Sequence, residues 1–137
     1  MAILCRTIRA LCTIAAAGVL GACTGPGAAE SVKSGPYTLM PGQSVTLAPT
    51  LSLRFDSVND SRCPQRVTCV WAGELRYHFT LHGGADEAFV LSERAPRFSS
   101  ARIKGLSVAL DRSPAAPLPG ASEAPPNHPV TLRVSTS

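Results

Sequence analysis

Aromatic residues are scarce in this 137-residue chain, which has four Phe, two Tyr and a single Trp. With so few rings, nearly all are needed for one core, and none are left to interleave with basic side chains as stacking platforms for bases. Charge is also sparse, at 16% Asp, Glu, Lys and Arg, and Arg54, Arg62, Arg66, Arg76, Arg94, Arg97, Arg102 and Arg133 are scattered along the chain. That distribution suits a solvated surface, so nucleic acid is not expected as a partner. No Gly-x-Ser-x-Gly elbow occurs, and Gly83-Gly84 lies in a turn pattern and not ahead of a helix, so no phosphate cradle is expected. Only three histidines are present. His78 and His82 fall on one side of an expected strand, but four residues at about 3.3 Å each separate them by roughly 13 Å, too far to share an ion. His128 sits in a Pro-rich stretch. Asp60 and Glu74 could form an acid pair, yet Asp60 is better suited to bonding the amides of its own turn or pairing with Arg62. The expectation is a protein that is not an enzyme, with no catalytic residue, cofactor or metal.

The apolar run Leu11 to Leu20 follows Arg6 and Arg9 and is too short to span a bilayer, so residues 1–22 read as a secretory signal peptide. It ends in Leu20-Gly21-Ala22-Cys23, which resembles the bacterial lipobox. The resemblance implies that Cys23 becomes the new N-terminus and carries acyl chains such as palmitate. Each buried methylene of such an anchor contributes about 0.8 kcal/mol, and two or three chains together hold firmly. The alternative is an ordinary signal peptide whose cleavage site happens to fall near a cysteine. The expected location is the extracytoplasmic side of the cell envelope. Thr24, and not Asp, follows the lipidated cysteine, which favours the periplasmic face of the outer membrane if the cell is Gram-negative. Losing Arg6 and Arg9 leaves 11 Lys+Arg against 9 Asp+Glu, a balance of only +2. Residues 23–36, rich in Gly, Ala, Ser and Pro, read as the lipidated cysteine and a flexible tether with a reach of about 20 Å.

Of five cysteines, Cys5 and Cys12 leave with the signal and Cys23 takes lipid. Cys63 and Cys69 remain, and an even pair in an exported chain reads as a disulfide. A metal site would need further ligands close by, and a redox site would favour Cys-x-x-Cys.

Residues 37–137 show no helical period but several short Val, Leu, Thr and Phe runs broken by Gly, Pro and Asn/Asp, an all-β signature. Strands are expected at Tyr37–Met40, Ser44–Leu47 and Leu51–Val58, with Pro41-Gly42 as a type II turn and a loss of register at Ser57-Val58. The clearest strand runs from Cys69 to Leu81, with Cys69, Trp71, Gly73, Leu75, Tyr77, Phe79 and Leu81 inward and a bend or bulge near Gly73. A turn at His82–Asp86 leads to Phe89 and Leu91. A polar loop with Pro96 follows, then Arg102–Leu110 with a bulge at Gly105, a Pro-rich excursion at 111–129, and a closing strand at Val130–Val134. Seven strands in about 100 residues suggest a single antiparallel β-sandwich of immunoglobulin-like architecture, with a small open barrel as the alternative. Trp71 is expected in the core, where its replacement by alanine would cost about 3–5 kcal/mol.

Arg62-Cys63-Pro64, Val67 and Cys69-Val70-Trp71-Ala72-Gly73, preceded by Pro41-Gly42 and the Leu51–Val58 run, resemble the signature block of a group of small exported bacterial β proteins. The likeness covers roughly residues 37–91. No activity attaches to that group, so the resemblance implies an exported β scaffold and assigns no catalytic residue. The expected role is a lipid-anchored envelope protein that binds an envelope partner or serves a structural association, with Gln65, Arg66 and Thr68 as candidate contacts. The alternative is an inhibitor or modulator of an extracytoplasmic enzyme, acting through the Cys63–Cys69 loop or the Pro-rich loop. In cells, Cys23→Ser should abolish labelling by radioactive palmitate and release the chain from the membrane fraction. Unchanged labelling would remove the anchor from this scheme.

Overall fold

Side chains that alternate between apolar and polar every second residue place one face of each strand in the core and the other in water. The computed structural model describes residues 31–111, 118, 120 and 129–137. The expected signal peptide, Cys23, most of the tether, His128 and nearly all of the Pro-rich excursion lie outside the described residues. Among the described residues there are eight strands: β1 (Gly35–Leu39), β2 (Ser44–Ala48), β3 (Leu51–Asp60), β4 (Leu75–His82), β5 (Glu87–Ser92), β6 (Arg97–Ser99), β7 (Leu106–Leu110) and β8 (Val130–Thr136). They form two four-stranded antiparallel sheets, ordered β2-β3-β4-β5 and β1-β8-β7-β6. This is the expected β-sandwich and not a closed barrel.

Between the sheets, Leu53, Phe55, Phe79, Leu81 and Leu91 face Leu106, Val108, Leu132 and Val134, all buried. A chain of rings crosses the core: Phe55 stacks on Phe79 at 4.9 Å, Phe79 on Phe89 at 5.4 Å, and Phe89 of β5 on Phe98 of β6 at 3.9 Å. The last contact joins one sheet to the other. Ring pairs of this kind add about 0.5–1.5 kcal/mol each beyond the area they bury.

The irregularities have local causes. Pro41-Gly42 carries the chain from one sheet to the other through a turn closed by Gln43 N–H to Met40 C=O at 3.0 Å, with Gly42 at φ 85° as a type II turn requires. In β3 the register shifts between Phe55 and Ser57. Asp56 is the extra residue, and its carboxylate accepts the Thr80 hydroxyl at 2.7 Å. The strand β6 replaces part of the expected polar loop, pairing Arg97–Ser99 with Ser107–Ala109. Gly105 marks no bulge. It sits in the β6–β7 turn at φ 78°, with its carbonyl taken by the Ser137 amide. The fold also begins earlier than residue 37, since Val32 packs on the core and the Lys33 amide bonds Leu47 C=O at 2.8 Å.

The strand directions give the sandwich two unlike ends. The proximal end collects residues 31–34, the β4–β5 hairpin and the β6–β7 turn. The distal end collects the 61–74 segment, the 93–96 connection and the start of the excursion after Asp111. The ten residues of β3 separate them by about 30 Å.

One side chain clasps the two sheets at the proximal end. Glu87, opening β5, accepts the Ser100 hydroxyl at 2.6 Å and the Ala101 amide at 3.0 Å from the turn after β6. The Ser100 hydroxyl first, and the Ala101 amide second, hold the Glu87 carboxyl below the usual carboxylate range. A lowered folded-state value means that the clasp contributes fully above the ordinary carboxylate pKa and is lost as pH falls through the depressed one. The gap in melting temperature between wild type and Glu87→Gln should therefore be greatest near neutrality and close in acid. A gap independent of pH would assign the clasp to packing alone.

Candidate functional site

Pairing of β3 with β4 runs to Asp60 opposite Leu75 and then continues irregularly into a projecting arm. The Ser61 amide bonds Glu74 C=O at 3.0 Å and the Cys63 amide bonds Ala72 C=O at 3.1 Å. The Ser61 hydroxyl accepts the Glu74 amide and lies 3.0 Å from the Glu74 carbonyl as its donor. Gly73 makes this approach possible. It lies at φ 64°, and a Cβ there would fall 1.8 Å from the Ser61 carbonyl oxygen. Beyond these bonds the disulfide between Cys63 and Cys69, with Cα atoms 5.8 Å apart, closes the tip of the arm.

At the base of the arm the inward position after Val58 falls to Asp60, whose side chain is only 1% exposed. Its Oδ1 accepts the backbone amide and Nε of Arg62 at 3.0 and 2.9 Å, and its Oδ2 accepts Nη2 at 2.6 Å. Both expected roles of Asp60, turn bonding and pairing with Arg62, are met together. The bond to Asp60 raises the Arg62 guanidinium pKa further. Burial raises the neighbouring Tyr77 phenol. Asp60 and Glu74 do not act as an acid pair, since each carboxylate is held by its own arginine. Glu74 binds Arg76, and that bond is the first cause of its lowered pKa.

The arm corrects the expectation for Trp71. The indole is 78% exposed, Val70 beside it 96% and Val67 46%. The alternation that buries Leu75, Tyr77, Phe79 and Leu81 does not extend back to Cys69, because the left-handed turn at Gly73 rotates the chain out of the sheet. Arg62 and Asp60 stand at the end of the core that Trp71 was expected to fill. Of the three candidate contacts, Arg66 and Thr68 are exposed at the tip. Gln65 is exposed too, but its amide donates to Leu118 C=O at 3.3 Å, tying the arm to the Pro-rich excursion. Arg66 has φ 64°, the sole left-handed non-glycine among the described residues, a conformation that costs about 1–2 kcal/mol.

Trp71 also walls an open cleft of about 500 Å³ on the outer face of the β3–β4 sheet, with Asn59, Ser61, Glu74, Arg76, His78 and Arg94 around it. His82 is elsewhere, its Nδ1 2.9 Å from Asp86 in the β4–β5 hairpin, so the two histidines serve no common site. Among the described residues no three of His, Cys, Asp and Glu converge as metal ligands, and no helix is long and apolar enough to cross a membrane.

Gly73→Ala should destabilise the fold by about 2 kcal/mol or more, from the left-handed backbone and the collision with Ser61. Urea unfolding measures the loss, and a change under about 0.5 kcal/mol would mean that the arm does not fold against Ser61. Compared with known proteins, the chain matches no family model, no curated protein and no solved structure.

Proposed function

We propose that this chain is a lipid-anchored protein of the cell envelope, without catalytic activity, that binds a partner through the distal end of its sandwich. The observation that carries the proposal is the exposure of Trp71 and Val70 on an arm held by a disulfide. Single exposed apolar residues are ordinary. Three exposed apolar residues fall within five positions, Val67, Val70 and Trp71, and Trp71 and the nearby Arg66, the latter in a strained backbone, are of the types enriched at binding hot spots. The staple supports the same reading, because an ordered loop loses less conformational entropy on binding. Polarity of the fold supports it as well. Residues 31–34 enter at the proximal end, so a tether from Cys23 would join the fold at the end opposite the arm.

A second reading draws on one particular feature. Arg66 sits in a closed loop and makes no hydrogen bond or ion pair among the described residues, as suits a side chain offered to an enzyme cleft. In this form the partner is an extracytoplasmic enzyme, and binding lowers its turnover.

Trp71→Ala separates stability from binding. The melting curve should shift by no more than about 0.5 kcal/mol equivalent, the usual range for surface substitutions. Crosslinking in intact cells should lose the partner captured by the wild-type chain. A destabilisation of several kcal/mol, or capture unchanged by the substitution, would overturn the proposal.

A further inference from the structure

From the cleft beside Trp71 we infer that the ligand class is an acidic sugar within a glycan, with the pyranose face on the indole and its carboxylate toward Arg94. This inference rests on the binding role proposed above and names the partner's chemistry. Three properties of the cleft select it. The first is shape: about 500 Å³ in an open depression is within the range of small-ligand sites, yet its openness suits one or two rings of a longer chain.

The second is composition. One wall is the exposed face of Trp71, an apolar plane with a polar edge. Apart from Ala72 and Gly73, the remaining lining residues carry hydrogen-bonding side chains, chiefly Asn59, His78 and Arg94. Asn59 and His78 stand on the outer faces of β3 and β4, strands that are rigidly paired there. A sugar presents the matching pattern, with C–H groups on its faces and hydroxyls at its edge. An apolar peptide anchor would leave these polar groups unpaired, at about 1–3 kcal/mol each.

The third is charge. Glu74 is the carboxylate lining the cleft, and it is already bonded to Arg76. Arg94 therefore leaves a net positive site. A carboxylate meets a guanidinium in a planar two-bond geometry, whereas a cationic ligand on the indole would face Arg94 and Arg76. Placement agrees, because the cleft lies on the outer face of the sheet toward its distal end, away from residues 31–34.

The single tryptophan makes the test direct. The full-length chain in detergent is titrated with trigalacturonate, its methyl ester and a neutral glucose trimer while indole emission is followed. Trigalacturonate should give a saturable change in emission, and esterification should weaken the affinity about tenfold, the value of one charge-assisted bond. Arg94→Ala should weaken trigalacturonate about tenfold while leaving the ester unchanged, and calorimetry should find no heat of binding with Trp71→Ala. Circular dichroism and melting curves check that both variants fold. Equal affinity for acid and ester, or no saturable change with any of the three, overturns the inference. If trigalacturonate fails while Trp71→Ala still abolishes crosslinking in cells, the partner is a protein and the broader binding role stands. If Trp71→Ala alters neither readout, both fall.

Discussion

The ion pair between Asp60 and Arg62 is the interaction on which the projecting arm of this molecule depends. Asp60 occupies the last inward position of β3 and is almost wholly removed from water. A carboxylate left unpaired there would cost several kcal/mol. Its partner comes from only two residues along the chain, and Oδ1 takes both the backbone amide and Nε of that residue. The backbone must therefore turn sharply as it leaves the sheet. That turn brings Ser61 under Gly73, where no side chain could stand, and the return strand re-enters the ladder at Leu75. The arm from 61 to 74 thus follows from how a buried charge is satisfied at the edge of the core.

The same geometry divides labour between the two ends. The proximal end gathers short turns and the Glu87 clasp, which join the sheets and receive the chain from residue 31. The distal end holds the long connections, and Gln65 links two of them through the Leu118 carbonyl. Long loops carried by a rigid sheet are where binding residues concentrate. In the anchored arrangement proposed above, the tether joins the fold at the end opposite the arm and its long connections.

Much of the fold is legible in the sequence because burial enforces a period of two. Leu75, Tyr77, Phe79 and Leu81 can be read directly, as can Leu51, Leu53 and Phe55, and the loss of register near Ser57 shows as a break in that period. The three-residue β6 is invisible because Phe98 is its only apolar side chain, and one residue has no period. Trp71 misleads for a sharper reason. Cys69, Trp71 and Gly73 continue the odd-numbered pattern of the strand, but a left-handed glycine breaks the link between the facing of the side chains before it and of those after it. The suspicion of a bend at Gly73 is sound, and its consequence for Trp71 is what the pattern conceals. The cleft could not be read at all, since Asn59, Trp71, His78 and Arg94 lie on four separate segments, β3, the arm, β4 and the 93–96 connection, that only the fold brings together.

The position of the disulfide bears on why the arm holds its shape. Ordering a residue costs about 1–2 kcal/mol of backbone entropy, and the seven residues from Cys63 to Cys69 bury no side chain fully. Burial alone could not offset that cost. The covalent closure removes about 2 kcal/mol of it from the unfolded chain in the entropic model, and the Ser61–Glu74 and Cys63–Ala72 bonds supply further order. The stabilisation falls on an exposed segment, outside the cluster of buried side chains that begins on this strand at Leu75. A staple there serves the exposed surface. It orders the backbone at the tip of the arm that carries Trp71, and in the binding role proposed above association is spared the cost of ordering that arm.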